Sequence, residues 1–310
     1  MPKISAIITT WNRSQQLRRA LESVLDQTHD DFELLILDNG STDNTEEMIR
    51  EYHDPRIRYI RHNPCNIAAA RNIGIHESKG IYLAFLDDDD EWLSHKLVQQ
   101  CAVFDGDHRG VIGLVYGGYR HINEHTKKIF EIIYPKRRGN VYDYAVKHRD
   151  TLTGSASNPL LRKDAVIQVG RYDETIKTGE DYEMFLRLAK KYEFQIVENP
   201  VVNIYVHNGY RLSYQLKDYL HTELTVYKKH HETIAKDKKT HVYYLQVIAG
   251  KCLRLGLQKE ARIYLRRAMG IDILRGGVYV QWTLSFLPTY FYKSIHRVIL
   301  TGSQFIRRYF

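Results

Sequence analysis

The sequence predicts an α/β protein: a mostly parallel sheet flanked by helices, followed by a mainly helical C-terminal extension. Three observations predict it. Apolar runs of strand length alternate with helical segments at a period of about 25 residues through the first part of the chain, the pattern of a doubly wound sheet. Those runs are apolar without alternation, as strands covered on both faces are, and they stop abruptly at polar clusters. Beyond Tyr214 the pattern is helical and the charge changes sign, with 17 Lys+Arg against 6 Asp+Glu from Tyr214 to Phe310 and 28 against 31 before it.

Lys3–Thr10 reads as a buried first strand and Trp11-Asn12-Arg13 as the turn after it. Ser14 is placed to cap a helix reaching about Gln27, with Leu17, Ala20, Leu21, Val24 and Leu25 on one face. Phe32–Leu37 is a second strand, ending in Asp38-Asn39-Gly40-Ser41-Thr42-Asp43. Gly40 supplies the turn, Thr42 or Asp43 caps the next helix, and Glu46 and Glu47 suit the positive end of its dipole. A short strand at Ile57–Arg61 and a helix containing Asn66–Gly74 lead to the apolar strand Tyr82–Leu86. After Trp92 come a helix to about Phe104, a glycine-interrupted strand at Val111–Tyr119 and a hairpin excursion over His121–Ile133. Asn158–Leu161 is a short strand running into a helix from Lys163, and Gly179–Glu183 opens an amphipathic helix. Two strand-like runs, Phe194–Val197 and Val201–Val206, end at His207. Tyr243–Met269 has the spacing of a single helix–turn–helix unit of the tetratricopeptide kind, too little for a solenoid.

At 310 residues, 43% hydrophobic and 26% charged, the chain has room for one large α/β domain, expected over residues 1–213, and a basic helical region over 214–310. Cys65, Cys101 and Cys252 lie far apart, so neither a disulfide framework nor a zinc site is expected. The N-terminus enters a strand pattern with no basic-then-apolar leader, which fits a reducing cytoplasm.

The chain is organised around Gly80–Trp92, where the apolar strand ends in Asp87-Asp88-Asp89-Asp90. Open α/β sheets place ligands at the carboxyl ends of their strands. Along an extended backbone side chains i and i+2 share a direction, so Asp87 and Asp89 can converge on one hard cation while Asp88 and Asp90 point elsewhere. Four adjacent carboxylates repel one another unless positive charge lies close, and a divalent ion holding a phosphorylated substrate accounts for them. A solvated acidic loop is the plainer alternative.

In chain order, Trp11-Asn12-Arg13, Leu37–Asp43, Ala70–Gly74, Leu86–Asp90 and Gly179–Glu183 resemble the motifs of family 2 glycosyltransferases of the GT-A fold, over about residues 3–213. The resemblance implies binding of a nucleoside diphosphate sugar, most often a UDP-sugar, with Mg2+ or Mn2+ bridging the phosphates. Carried over position by position, Thr9, Asn12, Arg13, Asp38, Arg71, Asp87 and Asp88 form the nucleotide-binding set. Within it Thr9, Thr10 and Asp38 frame the base, the Asp38 carboxylate being suited to accept the uracil N3–H, Arg71 faces the ribose or diphosphate, and Asp87 lies near the ribose. Asp89 is the implied metal ligand and His207 a second contact to metal or diphosphate; Asp181 is the implied base that deprotonates the acceptor hydroxyl. Structural rivals stand beside these roles: Asp38 as a turn cap, Arg71 as a helix residue paired with a neighbour such as Glu77, Glu180 and Asp181 as partners of the helix dipole, His207 as a strand-end cap. The chain departs from its relatives at Tyr205, where an arginine is common.

Val278–Tyr292 mixes Tyr279, Trp282, Phe286, Leu287, Tyr290 and Phe291, with Lys293, His296 and Arg297 following. It is shorter than the roughly 20 apolar residues that span a bilayer, and it suits either an anionic lipid interface or a helical subdomain with an aromatic core. No nucleic-acid-binding motif is present. The expected function is inverting transfer from a nucleotide sugar to a lipid-linked, polysaccharide or glycan acceptor, in the cytoplasm or peripherally at the inner face of the cell membrane. A metal-dependent nucleotidyltransferase and a non-catalytic scaffold on the same fold are the alternatives.

Overall fold

The computed structural model describes residues 2–150, 152–206 and 216–292. Among them the chain begins β1 (Ile4–Thr10), α1 (Ser14–Leu25), β2 (Phe32–Asp38), α2 (Thr45–Arg50), β3 (Ile57–Arg61), α3 (Ile67–Glu77) and β4 (Tyr82–Asp87). It continues through β5 (Glu91–Trp92), α4 (Lys96–Asp105), β6 (Ile112–Asn123), β7 (Ile129–Ile133), α5 (Tyr142–His148), β8 (Leu160–Arg162), α6 (Lys163–Gln168), α7 (Glu180–Ala189) and β9 (Glu193–Val206). The remainder is helical: α8 (Leu216–Lys229), α9 (His231–Lys236), α10 (Lys238–Leu255), α11 (Gln258–Ile271) and α12 (Gly276–Leu284).

One sheet joins the strands in the order β3-β2-β1-β4-β8-β6-β9-β5, with β7 added to β6. Its first four strands are mutually parallel, as their unbroken apolar runs require, and every residue of β2 is buried. β8 inserts antiparallel between β4 and β6, so the second half of the sheet is mixed. Leu17, Ala20, Leu21 and Val24 of α1 pack into the same core as Ile4, Ala6, Ile8, Leu34, Ile36, Ala84 and Leu86. The parallel ladder sets Thr9 beside Asp87 and Thr10 beside Asp38, so the polar ends of β2, β1 and β4 lie side by side.

Local chemistry adjusts several expectations. Ser14 is the first residue of α1 rather than its cap, and its hydroxyl donates to Asn44 across the neighbouring loop. Asn44 occupies the cap position of α2, while Asp43 accepts from the Thr45 amide and hydroxyl. The two runs before position 207 are one strand, β9: Pro200 lacks an N–H, and the ladder answers with register irregularities opposite Gly118 instead of ending.

The described residues form two compact units divided in the chain after β9, with residues 146–148 belonging to the second. In the second, α10 and α11 form the expected helical pair; Gly256 closes α10 at φ 82°, a left-handed conformation that favours glycine. Among the described residues no helix is long and apolar enough to cross a membrane.

The core of the first unit holds one costly group. Lys96 is fully buried, donates to Gln100 Oε1 at 2.7 Å and lies 4.3 Å from the Trp92 ring centroid, and among the described residues no carboxylate pairs with it. Burial pushes its ammonium down to about 7. The unfolded chain keeps that proton to its ordinary value of 10.5, so the penalty is complete below the folded value and fades as pH rises between the two. Lys96→Met is expected to stabilise the protein by about 2 kcal/mol at pH 6, after the lost Gln100 bond is subtracted, with a smaller gain at pH 10. Urea unfolding at the two pH values checks this; an equal or larger gain at pH 10 contradicts it.

Candidate active site at the strand ends

β4 ends at Asp87, and a turn closed by the Asp90 amide on the Asp87 carbonyl carries the rest of the acidic run. The turn replaces the extended backbone expected there, and within it the four side chains differ in partners and exposure. Asp88 and Asp90 are buried and bonded inward. Asp88 accepts from Thr10 Oγ1 at 2.8 Å and from Arg13 Nη1 at 3.0 Å. Asp90 accepts from Ser157 Oγ at 2.6 Å, Ser155 Oγ at 3.3 Å and the Tyr205 amide at 3.3 Å. Asp87 and Asp89 keep side chains 37% and 23% exposed. Asp89 meets Arg13 Nη1 at 3.1 Å, and its carbonyl accepts from Arg19.

Burial raises the proton affinity of this cluster. Asp88 is pushed up to about 7 by desolvation, opposed by Arg13 and reinforced by the like charge of Asp89. Asp90 is held well above the ordinary carboxylate range by burial and by Asp87 and Asp89, and Asp87 is raised by burial against the pull of Arg71.

The second half of the site comes from a distant part of the chain. Arg71, on α3 behind its Asn66 cap, is buried and donates to Asp87 Oδ1 at 2.8 Å and to Glu180 Oε1. Its guanidinium lies 5.5 Å from the Tyr172 ring centroid and 5.9 Å from that of Phe85. Glu180, the first residue of α7, is buried, and burial pushes it up to about 7 against the attraction of Arg71. Asp181 follows it, partly exposed, accepting from the Tyr182 amide at 2.7 Å.

Three of the expected nucleotide contacts have partners within the protein. Arg71 is enclosed between two carboxylates, Asp87 and Glu180, and braces the site. Asp38 is fully buried, accepting from the Ser41 amide at 2.8 Å and the Tyr59 hydroxyl at 2.5 Å; it caps the turn that Gly40 makes at φ 80°. Asp88 supports the acidic turn from behind.

Asn12, at φ 53°, bonds Thr42 through its side chain and Ser41 through its amide, welding the loop after β1 to the loop after β2. Thr9 and Arg13 remain partly exposed at the strand ends, and Trp11 is largely exposed beside them. His207 lies outside the described residues. Sequence reasoning missed the roles of Arg19, Tyr59 and Ser157; only contacts between elements distant in the chain reveal them.

The carboxylate oxygens of Asp87 and Asp89 are the donor type a hard divalent cation takes, and their like charges add to the effect of burial on the cluster. Among the described residues no three His, Cys, Asp or Glu side chains converge as a ready metal cage.

The model of a family described as glycosyl transferase family 2 matches residues 5–170. An uncharacterized glycosyltransferase of Rickettsia felis is 31% identical over 208 residues, covering 67% of this chain and 33% of that protein, so the chain spans about a third of that relative's length. WfaP of Escherichia coli, named a UDP-Glc:alpha-D-GlcNAc-diphosphoundecaprenol beta-1,3-glucosyltransferase, is 41% identical over 101 residues, 32% of this chain and 40% of that one. Among solved structures, S. aureus TarS 1-349 in complex with UDP-GlcNAc aligns with a TM-score of 0.69 at 14% identity, over 97% of this chain and 92% of that one. At that identity the likeness is one of fold, and the fold is GT-A.

The Arg71 brace gives a direct prediction. Arg71→Met leaves Asp87 and Glu180 facing each other without a cation and is expected to cost about 3–5 kcal/mol. Adding Glu180→Gln should restore part of that loss. A urea double-mutant cycle in which the two changes simply add would show that the pair is uncoupled.

Proposed function

Because the chain belongs to glycosyl transferase family 2, we propose that it transfers a sugar from a UDP-sugar to a lipid-linked or polysaccharide acceptor with inversion at the anomeric carbon. The observation that carries the reading is the Asp87–Arg71–Glu180 bridge. It joins the carboxylate-bearing end of β4 to the start of α7, so a donor bound at the strand ends has a partly exposed carboxylate, Asp181, on the neighbouring element. The UDP-sugar and the lipid-linked acceptor are drawn from the name of WfaP, which is similar over a third of this chain.

In this reading the open ends of β1 and β4 receive the nucleotide diphosphate, with Thr9, Arg13 and Asp87 at its edge. Asp89 and Asp87 would hold Mg2+ or Mn2+, which when bound neutralises charge on the departing diphosphate. The acceptor oxygen attacks the anomeric carbon as the carbon–oxygen bond to the diphosphate breaks, the electron pair leaves with the nucleotide, and the hydroxyl proton passes to the Asp181 carboxylate. An alcohol becomes acidic only as its new bond forms, so a carboxylate suffices late in the reaction. Glu180, buried against Arg71, fixes the start of α7 and leaves Asp181 as the available base. The reaction is placed at the cytoplasmic face of a membrane, and the exposed Phe286, Tyr290 and Phe291 of the second unit support peripheral contact there.

Asp181→Asn is expected to lower the rate of UDP release with acceptor by about 10²–10⁴-fold while leaving the thermal shift produced by UDP with Mn2+ intact. Asp89→Asn should remove the Mn2+-dependent part of that shift. An Asp181→Asn protein that still transfers sugar at the parental rate removes the assignment of the base, and pyrophosphate as the released product would favour a nucleotidyltransferase.

A further inference from the structure

The β6–β7 hairpin is built unlike the rest of the first unit. Among the described residues β7 pairs only with β6, leaving its other edge open. Its side chains do not alternate between core and solvent: Ile129 is 47% exposed, Phe130 58%, Ile132 43% and, just beyond, Tyr134 56%. An open, apolar edge of this kind is a liability unless something covers it.

The charges around it indicate what does. Residues 127–138 contain five cations, Lys127, Lys128, Lys136, Arg137 and Arg138, and one acid. All five cations are exposed and they flank the apolar stretch on both sides. Lys127 shares Glu124 at 2.8 Å and Arg137 lies 4.2 Å from the Tyr144 ring centroid, while the single acid, Glu131, faces His121 Nδ1 at 2.8 Å. A flat protein partner would cover one face of a strand. A lipid interface accepts apolar side chains from both faces of a projecting hairpin and meets the flanking cations with phosphate.

We propose that the β6–β7 hairpin is a docking element for an anionic bilayer surface, inserting Ile129, Phe130, Ile132 and Tyr134 at the headgroup level. It lies at the active end of the sheet. Glu124, in the hairpin turn, pairs with Arg19 at 3.2 Å, and Arg19 holds the Asp89 carbonyl. A membrane so docked brings the acidic turn toward the surface where a lipid-linked acceptor resides. The inference does not need the proposed reaction to be correct, because binding is read without donor or acceptor.

The test is co-sedimentation of the full chain with phosphatidylcholine vesicles with and without phosphatidylglycerol. The wild type should bind the anionic vesicles and lose affinity as salt is raised. Phe130→Ser with Ile132→Ser, both at exposed positions, should weaken binding by about tenfold or more with an unchanged melting temperature. The separate triple variant Lys136→Glu, Arg137→Glu, Arg138→Glu should lose the phosphatidylglycerol dependence, and it keeps the test decisive if the serine variant folds poorly. Three results overturn the proposal: no vesicle binding by the wild type, undiminished binding by both variants, which would assign the contact to the C-terminal aromatics, or a change confined to oligomeric state in light scattering, which would assign the edge to a protein partner.

Discussion

The site depends on one buried guanidinium. Arg71 reaches from α3 to Asp87 at the end of β4 and to Glu180 at the start of α7, partners 16 and 109 residues away in the chain. The buried Glu180 carboxylate is costly on its own, and the buried guanidinium is as costly without its partners. Each group is thus tolerated only when all three assemble. That condition fixes the start of α7 against the parallel half of the sheet and determines where Asp181 stands.

The acidic run solves a related problem. Four consecutive aspartates could not share one direction, and the turn after β4 assigns each a different set of partners. Asp87 takes Arg71, Asp88 takes Thr10 and Arg13, and Asp90 takes two serines and a backbone amide. Asp89 shares Arg13 and keeps part of its surface open. The protein supplies enough positive charge and enough donors to hold the run in place without neutralising it. Asp87 and Asp89 are the two members of the run whose side chains keep substantial exposure.

The parallel half of the fold was legible because its signal is local. Unbroken apolar runs, a polar stop after each and helical spacing between them place β1, β2, β4 and α1 without knowledge of any partner. The acidic run was legible for the same reason, though not the turn that carries it. The jobs of individual polar residues were not. Arg71 and Asp38 carry the residue types that contact nucleotides, and nothing in their neighbours in sequence shows that Glu180 and Tyr59 bond them within the protein. A ligand contact and an internal brace require the same chemistry, so only the fold separates them. The mixed half of the sheet was obscured in the same way: β5 is two residues long and exists only because β9 pairs with it, and β9 crosses a proline that a local reading treats as a break.

The surroundings of Tyr205 show how packing brings positive charge to the acidic turn. Position 205 supplies no cation: its tyrosine hydroxyl donates to Glu91 at 3.0 Å and its amide donates to Asp90. A guanidinium is nevertheless present. Arg19, from α1, lies 3.5 Å from the Tyr205 ring centroid, with one arm on the Asp89 carbonyl and the other on Glu124. The aromatic face gives the cation a platform that a second arginine would have denied it by repulsion. Tyr205 and Arg19 are thus a self-consistent pair. The positive charge beside the acidic turn thus depends on which element delivers it, and α1, already anchored in the core through Leu17, Ala20, Leu21 and Val24, delivers it from a rigid base.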